Sequence, residues 1–118
     1  MRILIVENEA LIAEDIKDIL EGAGHEVCGI AQSIRESCKL AKSRKPDVAF
    51  LDVDLGNGES GLDVSERLAS DYGIPSIFLT DRSDFRVRIM ALTAQPLGFV
   101  SKPYHPEDIL DALTQAHI

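Results

Sequence analysis

Four short segments hold most of the residues able to do chemistry: Glu7-Asn8-Glu9, Asp52-Val53-Asp54, Thr80-Asp81 and Ser101-Lys102-Pro103. Each ends or directly follows a short apolar run. Gathered on a common rim, their carboxylates would offer hard oxygen ligands that do not enclose a cation fully. That setting suits Mg²⁺, which keeps several waters and takes one or two carboxylates plus a phosphate oxygen. A lysine opposite would balance the charge. If Asp52 attacks a phosphoryl donor, the metal, Lys102 and the Thr80 hydroxyl would share the charge on the equatorial oxygens. Positioning and electrostatics would then carry most of the catalysis, with an aspartyl phosphate as the product.

Such a rim needs elements that end together. The apolar runs 3–6, 27–31, 48–51, 74–79 and 97–100 read as strands, several rich in β-branched residues, and they alternate with stretches of helical period. This is the pattern of βα units feeding an α/β parallel sheet covered on both faces. In an open parallel sheet ligands bind beyond the carboxyl ends of the strands, where strand order reverses, and the chemical segments sit at such ends.

The first helix carries Ile12, Ile16, Ile19 and Leu20 on one stripe and stops at Gly22 and Gly24. The second opens with the capping box Ser33-Ile34-Arg35-Glu36, and the third begins near Ser60 with Gly61, Val64 and Leu68 on one face. A fourth is predicted over 84–94, with Phe85, Ile89 and Leu92 in register. The fifth starts at His105-Pro106-Glu107-Asp108 and turns Ile109, Ala112, Leu113 and Ala116 inward.

Composition bounds the function. A chain of 118 residues has the size of one domain, read here as spanning 1–118, and 45% hydrophobic with 27% charged residues describes a folded globular chain. The net charge of −8 argues against direct nucleic-acid binding. Cys28 and Cys38 lack metal or Cys-x-x-Cys spacing and read as reduced thiols. No run is long enough for a membrane span or a signal-peptide core, which gives a cytoplasmic expectation with no membrane partner. His25, His105 and His117 share no spacing and read as surface or capping residues. The glycine-rich run from Gly56 to Gly61 lacks the Lys-Ser/Thr of a P-loop and reads as a flexible turn.

Four segments together resemble the response-regulator receiver family, of the CheY-like kind, across essentially the whole chain. They are Ile3-Leu4-Ile5-Val6-Glu7-Asn8-Glu9, Pro46-Asp47-Val48-Ala49-Phe50-Leu51-Asp52, Ile77-Phe78-Leu79-Thr80 and Gly98-Phe99-Val100-Ser101-Lys102-Pro103. The resemblance implies a doubly wound, flavodoxin-like (βα)5 fold with strand order 2-1-3-4-5. It implies Asp52 as phosphoacceptor, Glu7 and Asn8 as the acidic metal pair, and the Asp54 carbonyl as a further Mg²⁺ ligand. Thr80 becomes the switch hydroxyl, Lys102 the phosphate partner, Phe99 the rotating aromatic, and Lys102-Pro103 a cis bond. Asp54 and Arg82 fall at positions that tune dephosphorylation, where an opposite-charge pair would gate water. The donor would be a histidine kinase or a histidine phosphotransfer protein. The target would be a protein reading the fourth predicted helix, the fifth strand and the fifth predicted helix, with room left for a homodimer.

This sequence departs from the family at Asn8, where a carboxylate is usual, at Asp81, where a small residue is common, and at Gln95-Pro96 before the fifth strand. Asn8 therefore has two readings, metal contact or satisfaction of backbone groups in its own loop. Thr80 could also cap a helix, and Phe99 could be plain core. Two other functions compete. One is a receiver-like interaction module that is never phosphorylated. The other is a phosphatase of the haloacid dehalogenase type, using Asp52 and Asp54 as nucleophile and acid/base.

Overall fold

The computed structural model describes residues 1–56, 58–81, 89 and 95–116. The described elements run β1 (Arg2–Val6), α1 (Ala10–Gly22), β2 (Glu26–Ala31), α2 (Ile34–Arg44), β3 (Val48–Asp52), α3 (Gly61–Tyr72), β4 (Ser76–Asp81), β5 (Gly98–Lys102) and α4 (Pro106–Gln115). Here α4 is the fifth helix of the sequence reading. The predicted helix over 84–94 lies outside the described residues, apart from Ile89, which is 52% exposed.

The five strands form one parallel sheet in the order β2-β1-β3-β4-β5, as the resemblance implies. Alternation along each strand divides the core in two. Ile3, Ile5, Phe50, Ile77, Leu79 and Val100 face α1 and α4, packing on Ile16, Leu20, Ile109 and Leu113. Leu4, Val6, Ala49, Leu51 and Phe78 face the other way, onto Ala41, Val64 and Leu68 of α2 and α3. Strands buried on both faces explain why their sequences read as continuous apolar runs.

Each strand differs from its predicted run by a residue or two, and the largest differences, in β4 and β5, bear on the site. The run 74–79 is realised as Ser76–Asp81. Gly73 closes α3 in the left-handed region (φ 68°), and the Ile74 amide donates back to the Leu68 carbonyl, so the strand begins only after Pro75. At its far end Thr80 and Asp81 stay in the ladder opposite Ser101 and Lys102 of β5, which itself runs to residue 102 instead of 100. Backbone pairing continues past the point where the side chains turn polar. Thr80 and Lys102 are thus strand residues, held more rigidly than loop residues would be.

The capping box of α2 forms with one change. Ser33 Oγ accepts from the Glu36 amide at 3.1 Å, but the Glu36 carboxylate accepts from the Gln32 amide, one residue before the expected cap. The Ser33→Ala variant is expected to lose about 1 kcal/mol of stability in urea unfolding. An unchanged midpoint would show that Glu36 alone holds this end.

Cys28 and Cys38 are free thiols, both half-buried, and burial pushes the Cys28 thiol pKa up. No described helix is long and apolar enough to cross a membrane.

Candidate functional site

Parallel pairing brings the strand exits to one edge of the sheet. Val6 lies beside Leu51, Asp52 beside Leu79, and Thr80 beside Ser101. Glu7, one residue past Val6, is fully buried, while Asp52 is 6% and Thr80 2% exposed. Lys102 reaches over them from β5. Its Nζ donates to Asp52 Oδ2 at 2.8 Å and to Glu7 Oε2 at 3.3 Å. The remaining oxygens are also engaged: Asp52 Oδ1 accepts from the Asp54 amide at 3.0 Å, and Glu7 Oε1 from the Glu9 amide at 3.1 Å. Both carboxylates are therefore aimed by their own loops.

Electrostatics at this edge is strained. Burial, then the hydrogen bond and repulsion from Asp52, push the Glu7 pKa up to about 7, outweighing the Glu9 amide and Lys102. Between the ordinary carboxylate range and that value the folded chain binds more protons than the unfolded chain. Ionising Glu7 as pH rises therefore opposes folding. For Lys102, burial opposes the charge, but Asp52 and then Glu7 outweigh it and hold the ammonium pKa above its usual value. One lysine shared by two buried carboxylates leaves an excess of negative charge that a divalent cation would offset.

The donors fit Mg²⁺. Among the described residues no group of three or more His, Cys, Asp and Glu side chains could hold a metal ion. A cation here would rest on Glu7 and Asp52, with carbonyl oxygens and water completing its shell, which is the mix that Mg²⁺ takes. Thr80 adds an observation of its own, since its Oγ1 is buried and has no hydrogen-bond partner among the described residues. A hydroxyl in that position has given up solvent without a replacement, and an incoming oxygen would supply one.

The other expected site residues divide. Asn8 turns its amide nitrogen onto the Leu55 carbonyl, so its described contact is with the loop after β3. Asp54 is exposed, and its Oδ1 accepts from the Gly56 amide at 3.0 Å. Arg82 lies outside the described residues, and with it the expected Asp54–Arg82 gate. Phe99 sits half-buried on β5, its ring centroid 5.9 Å from that of Phe78. The Lys102-Pro103 bond is cis.

The run from Gly56 to Gly61, expected to be a flexible turn, is tied at several of its described residues. Asp54 bridges Ser60, the Glu59 carboxylate accepts from the Ile34 amide of α2, and the Gly61 amide donates to the Val53 carbonyl at 2.8 Å. Gly61 is the residue whose role the sequence reading missed. It lies on the buried face of α3, as expected, and a Cβ there would lie 2.2 Å from the Asp52 carbonyl oxygen. A glycine at the first position of a helix, in place of better helix formers, was the available signal.

Known proteins share the family and the fold. Residues 3–114 match the response regulator receiver domain family. The phyllosphere-induced regulator PhyR of Methylorubrum extorquens is 34% identical over 97% of this chain and 42% of its own length. Among solved structures, the signal receiver domain of a modulated diguanylate cyclase from Desulfovibrio desulfuricans superposes with a TM-score of 0.88 at 29% identity. That match covers 98% of this chain and 91% of the other. The anti-anti-sigma factor PhyR from Bartonella quintana superposes at 0.78 with 34% identity, over 98% of this chain and 46% of that one. The chain spans about half the length of the curated relatives it matches, between 42% and 56% for PhyR and the Mycobacterium tuberculosis regulator PdtaR.

Proposed function

We propose that this chain, which belongs to the response regulator receiver domain family, accepts a phosphoryl group on Asp52 from a histidine kinase or histidine phosphotransfer protein and signals by a change of shape. The observation that carries this reading is Lys102 Nζ shared between Asp52 and Glu7, at the same sheet edge as a buried Thr80 hydroxyl that has no partner among the described residues. The unit we assign to it is a single receiver domain over 1–118, working in the cytoplasm.

In the transfer, an Asp52 carboxylate oxygen bonds to phosphorus as the bond from phosphorus to the donor's imidazole nitrogen breaks. The imidazole departs with a proton. Asp52 is already oriented, with Oδ1 fixed by the Asp54 amide and Oδ2 by Lys102. Glu7 and Asp52, with the Asp54 carbonyl, would hold Mg²⁺, which when bound supplies neutralisation of the transferring oxygens. Lys102 then exchanges a carboxylate partner for a phosphoryl oxygen, and Thr80 turns its hydroxyl to another. The group adds about −1.5 to −2 charges at neutral pH, which draws both side chains inward. Phe99, next to Val100 in the same strand, follows Thr80 toward the space it leaves. The face read by a downstream protein is then β5, α4 and the predicted helix over 84–94. The relation to PhyR proteins favours a protein target over DNA. Asp54, turned onto its own loop, does not support the phosphatase alternative, which needs it as acid/base.

The test is incubation with phosphoramidate and Mg²⁺ followed by intact mass. A gain of one phosphoryl group is expected, and an unchanged mass at all donor concentrations would refute the reading.

Asn8 gives a second expectation. In Asn8→Asp the donor to Leu55 is lost, which costs about 1 kcal/mol in the metal-free protein, while a third carboxylate joins the rim. Mg²⁺ should bind more tightly although the apoprotein melts lower. Calorimetric titration showing equal or weaker Mg²⁺ binding would place position 8 outside the ion's surroundings.

A further inference from the structure

The ladder alone does not hold Lys102 over Glu7. Glu7 follows β1 and Lys102 ends β5, and in the order β2-β1-β3-β4-β5 those strands are separated by β3 and β4. Three spacings of about 4.8 Å put their backbones roughly 14 Å apart. The sheet fixes Lys102 only against Asp81 on its neighbour. How far the ammonium extends over Asp52 and Glu7 therefore depends on the path of the chain as it leaves β5.

That path has an anchor. Two residues beyond Lys102, the Tyr104 hydroxyl donates to Asp15 Oδ2 on α1 at 2.7 Å. The Tyr104 ring packs, partly buried, against the core cluster shared by α1 and α4. The end of β5 with the residues just beyond it and the stretch from Glu7 into α1 are thus joined by two links: Lys102 to Glu7 inside the site, and Tyr104 to Asp15 on α1. Burial, and then Asp15, push the phenol pKa up, so the hydroxyl remains a donor well above neutral pH.

We propose that Tyr104 is a positioning residue for Lys102, its hydroxyl tying the segment after β5 to Asp15 so that the ammonium is held over Asp52. This rests on the reading of Asp52 as phosphoacceptor. The bland alternative is a surface hydrogen bond that adds a little stability and does nothing for the site.

Tyr104→Phe keeps the ring and its packing and removes only the hydroxyl, and Asp15→Asn weakens the acceptor. In the full chain, with Mg²⁺ and phosphoramidate, each variant is expected to lower the saturated phosphorylation rate about 3- to 10-fold, the reach of one hydrogen bond. The donor concentration at half saturation should hardly move. The double variant should be no slower than the singles, because both remove one link. The Lys102 Cε resonance should shift in the same variants. Saturated rates at the parent level with only a lower melting temperature would overturn the proposal, as would effects that multiply in the double variant. If the parent takes up no phosphoryl group, the functional reading has failed and the resonance decides alone. A Lys102 signal that stays in place in Tyr104→Phe then overturns the anchor.

Discussion

Asp52→Asn is expected to abolish phosphoryl uptake from phosphoramidate completely while leaving the protein at least as stable as its parent. The two halves come from different physics. Asparagine keeps the shape of the side chain and an oxygen to accept from the Asp54 amide, which in the parent lies 3.0 Å from Asp52 Oδ1. It lacks the carboxylate that must bond to phosphorus. Stability moves the other way because Asp52 is what crowds Glu7: after burial, its hydrogen bond and charge are the main causes that push the Glu7 pKa up to about 7. With one carboxylate gone, Glu7 ionises more readily and keeps Lys102, 3.3 Å away, for itself. A destabilised variant that loses uptake would be ambiguous; a stable one that loses it locates the chemistry. Intact mass and thermal unfolding on the same samples make the check. A phosphoryl group still gained by Asp52→Asn would move the acceptor elsewhere.

The same balance explains what the sequence could and could not disclose. Strands buried on both faces announce themselves as apolar runs, so the sheet was legible, and the residue types at the strand ends named Glu7, Asp52, Thr80 and Lys102. The strand limits were less so. Thr80, Asp81, Ser101 and Lys102 are polar and ended the apolar reading, but ladder hydrogen bonds join backbone groups and continue under polar side chains. That difference has chemical content, since the predicted strands stop one residue short of Thr80 and two short of Lys102, both of which pair within the sheet.

What remained hidden is long-range. Asn8 meets the Leu55 carbonyl across 47 positions and Tyr104 meets Asp15 across 89, and no periodicity encodes either contact. Glu36 shows the limit even at short range. The motif fixes which types meet at a helix start, yet the carboxylate chose the amide of Gln32 over that of Ser33. Side chains of this length select among neighbouring donors by the local path of the backbone, which the motif does not specify.

Gly61→Ala is expected to destabilise the protein by about 2–3 kcal/mol, at the upper end of the usual cost of overpacking, and to slow phosphoryl uptake by an order of magnitude or more. By helix propensity alone the sign would be opposite, since alanine favours a helix over glycine by about 1 kcal/mol. Contact decides it. A Cβ at position 61 would stand 2.2 Å from the Asp52 carbonyl oxygen and 2.9 Å from both the Asp52 carbonyl carbon and the Val53 Cα. All are backbone atoms, so no rotamer change relieves the clash, and the Gly61 amide is itself committed to the Val53 carbonyl. Either α3 backs away from the sheet or the end of β3 moves, and the second displaces Asp52 from Lys102. Gly22 supplies the control. At the end of α1 nothing lies within 4 Å of its would-be Cβ, so Gly22→Ala should be neutral or slightly stabilising, with uptake unchanged. Urea unfolding and single-turnover phosphorylation of both variants separate the two effects. A Gly61→Ala protein that melts and reacts like Gly22→Ala would mean that α3 does not bear on the phosphoacceptor strand.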